Sequence, residues 1–534
     1  MNRLLFYLLY RFLISFFPIL LFASPNVFIS DDVYFYLNKL ESYGLIHTTV
    51  KSFPQLTRKE IARQILEAQK NKIKLTDSEE LFAVEKILNT LKKDFAYEIQ
   101  DTRYEKLHYK PIARARIDFD FLKAKKHLIV QNNGVGSIDA KVQSFTENQE
   151  GRNFEDGLNT HVETNHYAEL FNHASVYFEP IYYLTFSDDT SDTSRIEIHK
   201  LYAKTYFYNI ELEVGRDSIV WGNSYKNYAL LGPNAFPFDL IKLSFPHPII
   251  LPYLGPFKFE LFHARLSFNT FRHPYLTGSQ FGFRPASFFE FSASQALMWG
   301  GDGATEFGFW EGFKEWFFKR TDLHNRDISN RIVSFNFRFY LEHLNNTQIY
   351  LDTALEDKRF LHSLENQLVD MDTYILGFYF PRLTNTPEYD LRLELMRTPP
   401  IAYRHASYTG GWTDRSNLLA NALGPDGDSI DVTFNYHYQM KHTFTFNGGF
   451  ESRESDIYTT IYDPQSPQDG YDEVLIEERI HESKLIGQIG YKTSLSENLV
   501  ATMKLGYAKV FNFNYVRDDN KNNVLFNLGI EYTF

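Results

Sequence analysis

Val524-Leu-Phe-Asn-Leu-Gly-Ile-Glu-Tyr-Thr-Phe534 is the stretch whose reading decides the fold. Every even position is apolar: Val524, Phe526, Leu528, Ile530, Tyr532 and Phe534. From residue 527 on, Asn527, Gly529, Glu531 and Thr533 alternate with them and are small or polar. This period of two gives a strand one face fit for lipid and another fit for a wet or packed interior. The length suits one bilayer crossing by a tilted strand, about 9–11 residues. An edge strand of a soluble sheet would alternate in the same way, so the rest of the chain has to decide.

Composition points to the membrane. The 534 residues include 50 Phe and 35 Tyr, and aromatics reach 17%, roughly double ordinary usage. Mean hydropathy is nevertheless −0.35, which excludes a helical membrane protein. A barrel reconciles the two, because only alternate residues face lipid. The final Phe behind alternating apolar residues is similar to the closing strand of bacterial outer-membrane barrels. A net charge of −12 without a basic stripe argues against a nucleic-acid partner. The absence of cysteine removes disulfides, thiolate metal sites, Cys nucleophiles and a lipoprotein anchor. Residues 1–23 read as a signal peptide, with Arg3, an apolar run and a cleavage site at Leu21-Phe22-Ala23. After residue 25 no window of about 18 apolar residues follows, so no spanning helix is expected.

Residues 24–105 read as a small helical bundle. Asp31-Asp32 can cap a helix carrying Val33, Tyr36, Leu37 and Leu40 that stops near Gly44. Thr57-Arg-Lys-Glu60 and Thr76-Asp-Ser-Glu79 are capping boxes, in which the hydroxyl takes the third helical amide and the Glu returns the bond. Leu81, Val84, Leu88, Leu91 and Phe95 continue the second at helical spacing.

Residues 106–534 read as a barrel. From residue 112 the period falls to two: Ala113, Ala115, Ile117, Phe119 and Phe121 alternate with Arg114, Arg116, Asp118 and Asp120. Similar runs recur at 138–145, 168–179, 200–214, 257–271, 331–341, 389–396, 430–438, 441–450, 484–492 and 498–513. Counted back from Phe534, connections alternate long (515–523, 452–482, 397–429, 356–371, 299–330) and short (493–497, 439–440, 381–388, 342–346). An up-and-down membrane barrel predicts this parity, with long loops external and short turns periplasmic. Upstream of residue 286 the parity assigns no sides. The remaining length accommodates about 16–20 antiparallel strands.

Four stretches resemble the capsule-assembly Wzi family of outer-membrane proteins. The first joins Tyr36-Leu37-Asn-Lys-Leu40-Glu-Ser-Tyr-Gly44-Leu-Ile46 to Leu56-Thr-Arg-Lys-Glu-Ile-Ala62. The second runs from Val214-Gly-Arg-Asp-Ser-Ile-Val-Trp221-Gly222 to Leu230-Leu-Gly-Pro-Asn-Ala-Phe-Pro237. The third is Arg284-Pro-Ala-Ser-Phe-Phe-Glu290 with Ala296-Leu-Met-Trp299-Gly-Gly-Asp-Gly303, and the fourth Tyr408-Thr-Gly-Gly-Trp-Thr-Asp414 with Gly424-Pro-Asp-Gly-Asp428. Asn223-Ser224 and Gly232-Pro233 depart from the family pattern, which bears on the ligand more than on the fold. The resemblance implies an eighteen-stranded all-β transmembrane barrel with a periplasmic helical segment. It also implies a lectin that attaches surface polysaccharide to the outer membrane, with no enzymatic activity and no cofactor. The helical start is also similar to S-layer homology modules, which would instead make residues 26–100 a tether to cell wall or periplasmic proteins and the barrel a small-solute porin.

A carbohydrate site needs flat rings beside groups that bond hydroxyls. Trp412, Tyr408, Asp414 and Arg415 fit this in a connection expected outside; Trp221, Tyr225 and Tyr228 are a second set with no side assigned. Each aromatic has a plainer reading as an anchor for its own loop. Phe307, Trp310, Phe313 and Phe317 suggest a short helix packed in the barrel mouth, with membrane contact as the rival. His161-Val-Glu163-Thr-Asn-His166 lacks the zinc-protease spacing and reads as a solvated loop. Asp426-Gly-Asp428 has calcium-ligand character, although a turn accounts for it. Nothing places a nucleophile beside a base, so no catalytic residue and no metal site are assigned.

Overall fold

The computed structural model describes residues 23–28, 32–100, 107–170, 173–188, 191–305, 329–356, 373–384, 387–439, 441–462 and 471–534, with Trp310 and Trp316. The stretch 1–22, which carries most of the expected signal peptide, lies outside them, as do Asp31 and most of residues 306–328.

Eighteen antiparallel strands close on themselves. In chain order they are β1 (His108–Lys123), β2 (Gly157–Leu170), β3 (Ala174–Ser187), β4 (Thr193–Phe207), β5 (Ile210–Asp217) and β6 (Phe238–Ser244). Next come β7 (Gly255–Arg265), β8 (Tyr275–Ala286), β9 (Phe289–Trp299), β10 (Ser329–Leu341), β11 (Thr347–Glu356) and β12 (Thr373–Phe380). The last six are β13 (Tyr389–Thr398), β14 (Gly427–Tyr438), β15 (His442–Arg453), β16 (Glu482–Ser494), β17 (Leu499–Phe511) and β18 (Lys521–Thr533). The terminal stretch closes the barrel: β18 pairs with β17 and with β1, in register from Arg114↔Thr533 to Lys123↔Val524. Its even residues Val524, Phe526, Leu528, Ile530 and Tyr532 are exposed on the outer face, while Asn523, Leu525 and Asn527 are buried inward. Asn527 Nδ2 there reaches Asp120 Oδ1 at 2.8 Å and Asp118 Oδ1 at 3.3 Å.

The outer belt carries exposed apolar residues on every quarter, among them Ile196, Ile241, Leu261, Phe339, Ile430, Phe446, Leu485 and Leu505. Aromatic pairs lie near its margins, Tyr389–Tyr436 at 4.8 Å and Phe444–Tyr491 at 4.8 Å toward the short turns, Tyr275–Trp299 at 4.9 Å toward the long connections. An apolar wall with aromatic margins is the surface a lipid bilayer requires.

The up-and-down alternation of ends continues back to β1. Short turns join β2 to β3, β4 to β5, β8 to β9 and each later pair of that parity; the opposite end carries the long connections. Toward β1, however, length stops marking the ends. Residues 245–254, with the short strand Ile249–Leu251, join β6 to β7 at the short-turn end, and only residues 188–192 join β3 to β4 at the other. Two of the expected runs instead straddle hairpins. Residues 168–179 include the β2–β3 turn, and 200–214 include the two-residue Tyr208-Asn209 turn, where Tyr208 holds φ 58° without a glycine to signal it. The run at 138–145 supplies only a short pairing inside a connection, Lys141–Val142. His161 and Glu163 sit in β2 with buried, inward side chains, not in a solvated loop.

Among the described residues, four α-helices precede the barrel: α1 (Asp32–Ser42), α2 (Arg58–Asn71), α3 (Ser78–Asp94) and α4 (Ala96–Ile99). Leu37, Leu40, Ile61, Ile65, Val84, Leu88 and Leu91 pack together between them. Thr57 caps α2 by accepting the Glu60 amide at 3.2 Å, but the Glu60 carboxylate turns to Arg63 and His247 rather than back to the cap. The cap of α3 is Asp77 rather than Thr76, accepting from Glu79 and Glu80. The bundle docks into the short-turn end. Lys39 donates to the carbonyls of Pro381 and Tyr389, Arg284 pairs with Glu41 at 2.9 Å, and Arg382 pairs with Glu80 at 2.8 Å.

A plug crosses the lumen. The connections 124–156, 218–237 and 399–426 fold inward, and Ile138, Ala140, Trp221, Leu230, Leu231, Tyr403, Trp412 and Leu419 pack with wall residues Leu240, Phe262, Met298, Ile332 and Met396 in one buried core. Such packing excludes water by removing apolar surface from it. Of the expected helix at 307–317, Trp310 and Trp316 alone are described. Trp316 accepts from Gln295, which faces outward from β9, at 3.0 Å. That position therefore adjoins the outer wall, and the reading inside the mouth does not hold for it.

Candidate functional site

The plug is held from the wall by carboxylates. Asp352 on β11 accepts the amides of Asn223 at 2.7 Å and Ser224 at 2.9 Å and the Ser224 hydroxyl at 2.9 Å. Glu394 on β13 takes the amides of Tyr225, Lys226 and Asn227. Buried backbone donors need such partners. The departure Asn223-Ser224 thus supplies a cradle for a wall carboxylate.

Above that layer, residues 408–418 build the platform that faces the long-connection mouth. Thr413–Asp414 and Asn417–Leu418 form a two-residue hairpin with Arg415 at φ 53° and Ser416 at φ 63° at its tip. Positive φ at both tip positions is the twist that two-residue hairpins favour. Beneath the tip, Trp412 is fully buried; its amide donates to Tyr403 at 2.8 Å and its indole Nε1 to the Leu230 carbonyl at 2.9 Å. Tyr408 is buried against Phe271 at 5.2 Å between ring centres.

Asp414 is buried too, and accepts the amides of Ser267 at 2.9 Å and Phe268 at 3.0 Å, fastening the tip to the β7–β8 connection. Burial pushes its carboxyl above the ordinary range, against the pull of those amides and of Arg415. Ser416 accepts the Lys141 amide at 3.0 Å, and its hydroxyl reaches Asp139 at 3.1 Å, fastening the tip to the first connection as well.

Arg415 is the member of the set that looks outward, with its side chain 43% exposed. Its Nη2 donates to Ser267 Oγ at 2.6 Å, the guanidinium lies 4.9 Å over the Phe236 ring, and Glu197 is 4.0 Å away. Phe268, 48% exposed, stands on the adjoining loop that Arg415 and Asp414 hold. The fold thus brings Trp412, Tyr408, Asp414 and Arg415 into one unit, with the two aromatic rings inside it and the guanidinium on the surface.

The second set divides. Trp221 is buried in the plug, with its Nε1 donating to Glu260 at 2.8 Å, and Tyr228 is buried with its hydroxyl on the Tyr225 carbonyl at 3.2 Å. Tyr225, 51% exposed, lies under Arg392 on the luminal side of the plug. Phe236 and Phe268 went unread as part of the mouth. Phe236 lies in the Leu230–Pro237 motif, but nothing in the local pattern ties it to a hairpin at residue 415.

An eighteen-stranded barrel with a lipid-facing belt and a lumen packed by its own connections is an outer-membrane β-barrel of the closed kind. Residues 130–525 match the family model of the capsule assembly protein Wzi, and the chain belongs to that family. Among solved structures it is similar to Wzi of Escherichia coli, described as an outer membrane protein involved in group 1 capsule assembly and a carbohydrate-binding β-barrel. That likeness has a TM-score of 0.65 at 17% identity, covering 96% of this chain and 100% of that one. OprD of Pseudomonas aeruginosa matches over 80% of this chain and 97% of its own, at 11% identity and a TM-score of 0.41. An uncharacterized 55.8 kDa protein in the cps region of Klebsiella pneumoniae is 26% identical over 160 residues. That match spans 28% of this chain and 31% of the relative's own length.

Proposed function

We propose that the protein binds and organises surface polysaccharide, capsular or related, at the external mouth of the barrel, as a lectin that does not cleave it. The observation that carries this reading is the plug. Buried Trp412, Tyr403, Leu230, Met298 and their neighbours form a plug across the lumen, where an open pore would need a passage. This favours a binding role over the small-solute porin. Family membership and the carbohydrate binding described for the Escherichia coli relative support the same reading. The mouth is external and the helical segment periplasmic, docked where short turns gather.

At the mouth, Arg415 with the exposed Phe268 ring offers a charged donor beside a flat apolar face. The first bonds hydroxyls or uronate carboxylates and the second stacks on sugar C–H faces. Trp412, Tyr408 and Asp414 hold the platform in shape and act through Arg415; Trp221 and Tyr228 do the same for the plug below. Outer-membrane lipid surrounds the belt.

Titration of the full-length protein in detergent with purified surface polysaccharide tests this. Arg415→Asn keeps a residue that tolerates the left-handed backbone and removes the guanidinium. Loss of one charged hydrogen bond of about 1.5–3 kcal/mol is expected to weaken binding roughly tenfold or more. Unchanged affinity would remove Arg415 from the site, and no affinity in either protein, with stable conductance in planar bilayers, would favour the pore.

A further inference from the structure

The connection between β15 and β16 leaves the wall after Arg453 and returns at Glu482, and its two ends run side by side. Ser455 Oγ donates to the Ile480 carbonyl at 2.7 Å and holds them together. Glu454, Asp456 and His481 are thereby gathered so that one ligating atom from each lies within 4.8 Å of the others. Asp456 Oδ1 accepts the Arg479 amide at 2.6 Å and lies 3.3 Å from His481 Nε2.

Behind this group stands Asp426, the last residue of the plug connection. It is 4% exposed, and its backbone carbonyl accepts the Glu454 amide at 2.8 Å. Its Oδ2 has no hydrogen-bond partner among the described residues. Asp426 Oδ1 and Glu454 Oε2 lie 3.5 and 3.4 Å from the same Tyr458 hydroxyl, so a single proton is offered to two carboxylates. Arg404 is the one nearby cation whose charge acts on Asp426, and it makes no ion pair with Glu454 or Asp456 among the described residues. The Arg479 guanidinium is turned to Glu477 at 2.9 Å, and Arg404 Nη1 donates to the carbonyls of Val130 and Gln131. A second triad, Glu150, Glu179 and His199, shows the contrast: there Lys200 Nζ stands 2.6 Å from Glu150 and supplies the positive charge.

Buried carboxylates are retained when they are paired or coordinate a metal. We propose that Glu454, Asp456 and His481, completed by Asp426, bind a divalent cation of the zinc or manganese class. An imidazole among carboxylates suits those ions, whereas calcium and magnesium take oxygen ligands. Asp426 belongs to the plug and the other three to the β15–β16 arm, so the ion pins the arm to the plug beside the mouth. Glu454 and His481 are partly exposed, and the ion enters from solvent without the barrel opening.

The test is calorimetric titration of the chelator-treated, full-length protein in detergent with zinc and manganese ions, and with calcium and magnesium ions as comparisons. One ion per chain is expected, with affinity falling at least tenfold in His481→Gln and in Asp456→Asn. Added ion should raise the unfolding temperature of the natural protein and leave that of His481→Gln unmoved. His481 is partly exposed, so its variant tests the site even where Asp456→Asn does not fold. No saturable binding, equal affinity in His481→Gln, or a preference for calcium over both transition metals would overturn the proposal.

Discussion

The indole Nε1 of Trp412 donates to the backbone carbonyl of Leu230 at 2.9 Å, fastening two connections that enter the lumen from different parts of the wall. Trp412→Ala removes this bond and empties a large volume at the centre of the plug. Truncations of buried aromatics cost about 3–5 kcal/mol. Thermal unfolding should show a loss of that order, and planar-bilayer recording should show conductance that the natural protein lacks. An unchanged unfolding temperature would mean that the plug does not depend on this layer.

Gly411, beside that tryptophan, holds φ +68°, and a Cβ there would come within 2.4 Å of the Tyr403 carbonyl oxygen and 2.7 Å of Ile138. The left-handed backbone alone costs a residue with a side chain roughly 1–2 kcal/mol, and overpacking typically adds about 1–3 kcal/mol. Gly411→Ala is therefore expected to destabilise by several kcal/mol on the same scale, with polysaccharide affinity falling as the platform distorts. Denaturant unfolding monitored by tryptophan fluorescence checks it.

Lys39 gives the docked bundle a pH dependence. Burial lowers its amino group to about 8 from 10.5, against the opposing pull of Asp390. Between those two values the unfolded chain binds more protons than the folded one, so this group makes stability rise with pH across that window. Below about 8 lysine is charged in both states and its contribution is flat. The measurement is the unfolding midpoint from pH 7.5 to 10, with Lys39→Met as the comparison. The natural protein should gain relative to the variant as pH rises, and a parallel pair of curves would refute it.

Arg415→Asn should leave the unfolding free energy within about 0.5 kcal/mol of the natural value, as exposed substitutions do. Its effect is confined to binding. A large loss of stability would show that Arg415 works as a brace for Ser267 and Phe236.

The barrel could be read from the chain because alternation is a local signal. Val524 to Phe534 and Ala113 to Phe121 declare their lipid faces residue by residue, and the spacing between such runs carries the parity of the ends. Tyr208 shows where that reading stops: a two-residue turn built without Gly or Pro hides a strand boundary inside one alternating run. The candidate site was readable only as a set. The motif around Trp412 marks a special connection, but the same aromatic serves as a ligand platform or an internal anchor. Burial under Leu230 and the β7–β8 connection is a product of contacts more than a hundred residues apart. Asp426 could be read as a candidate cation ligand, but Glu454, whose amide its carbonyl accepts, and the Asp456–His481 pair come from another connection.

Hydroxyl-radical footprinting of the full-length protein, with and without purified surface polysaccharide, tests the central claim most directly. The expected result is protection of Phe268 and of the Arg415-Ser416-Asn417 tip, with luminal Tyr225 reacting as before. Protection confined to Tyr225 and the helices α1 to α3, or none at saturating polysaccharide, would contradict a glycan site at the external mouth.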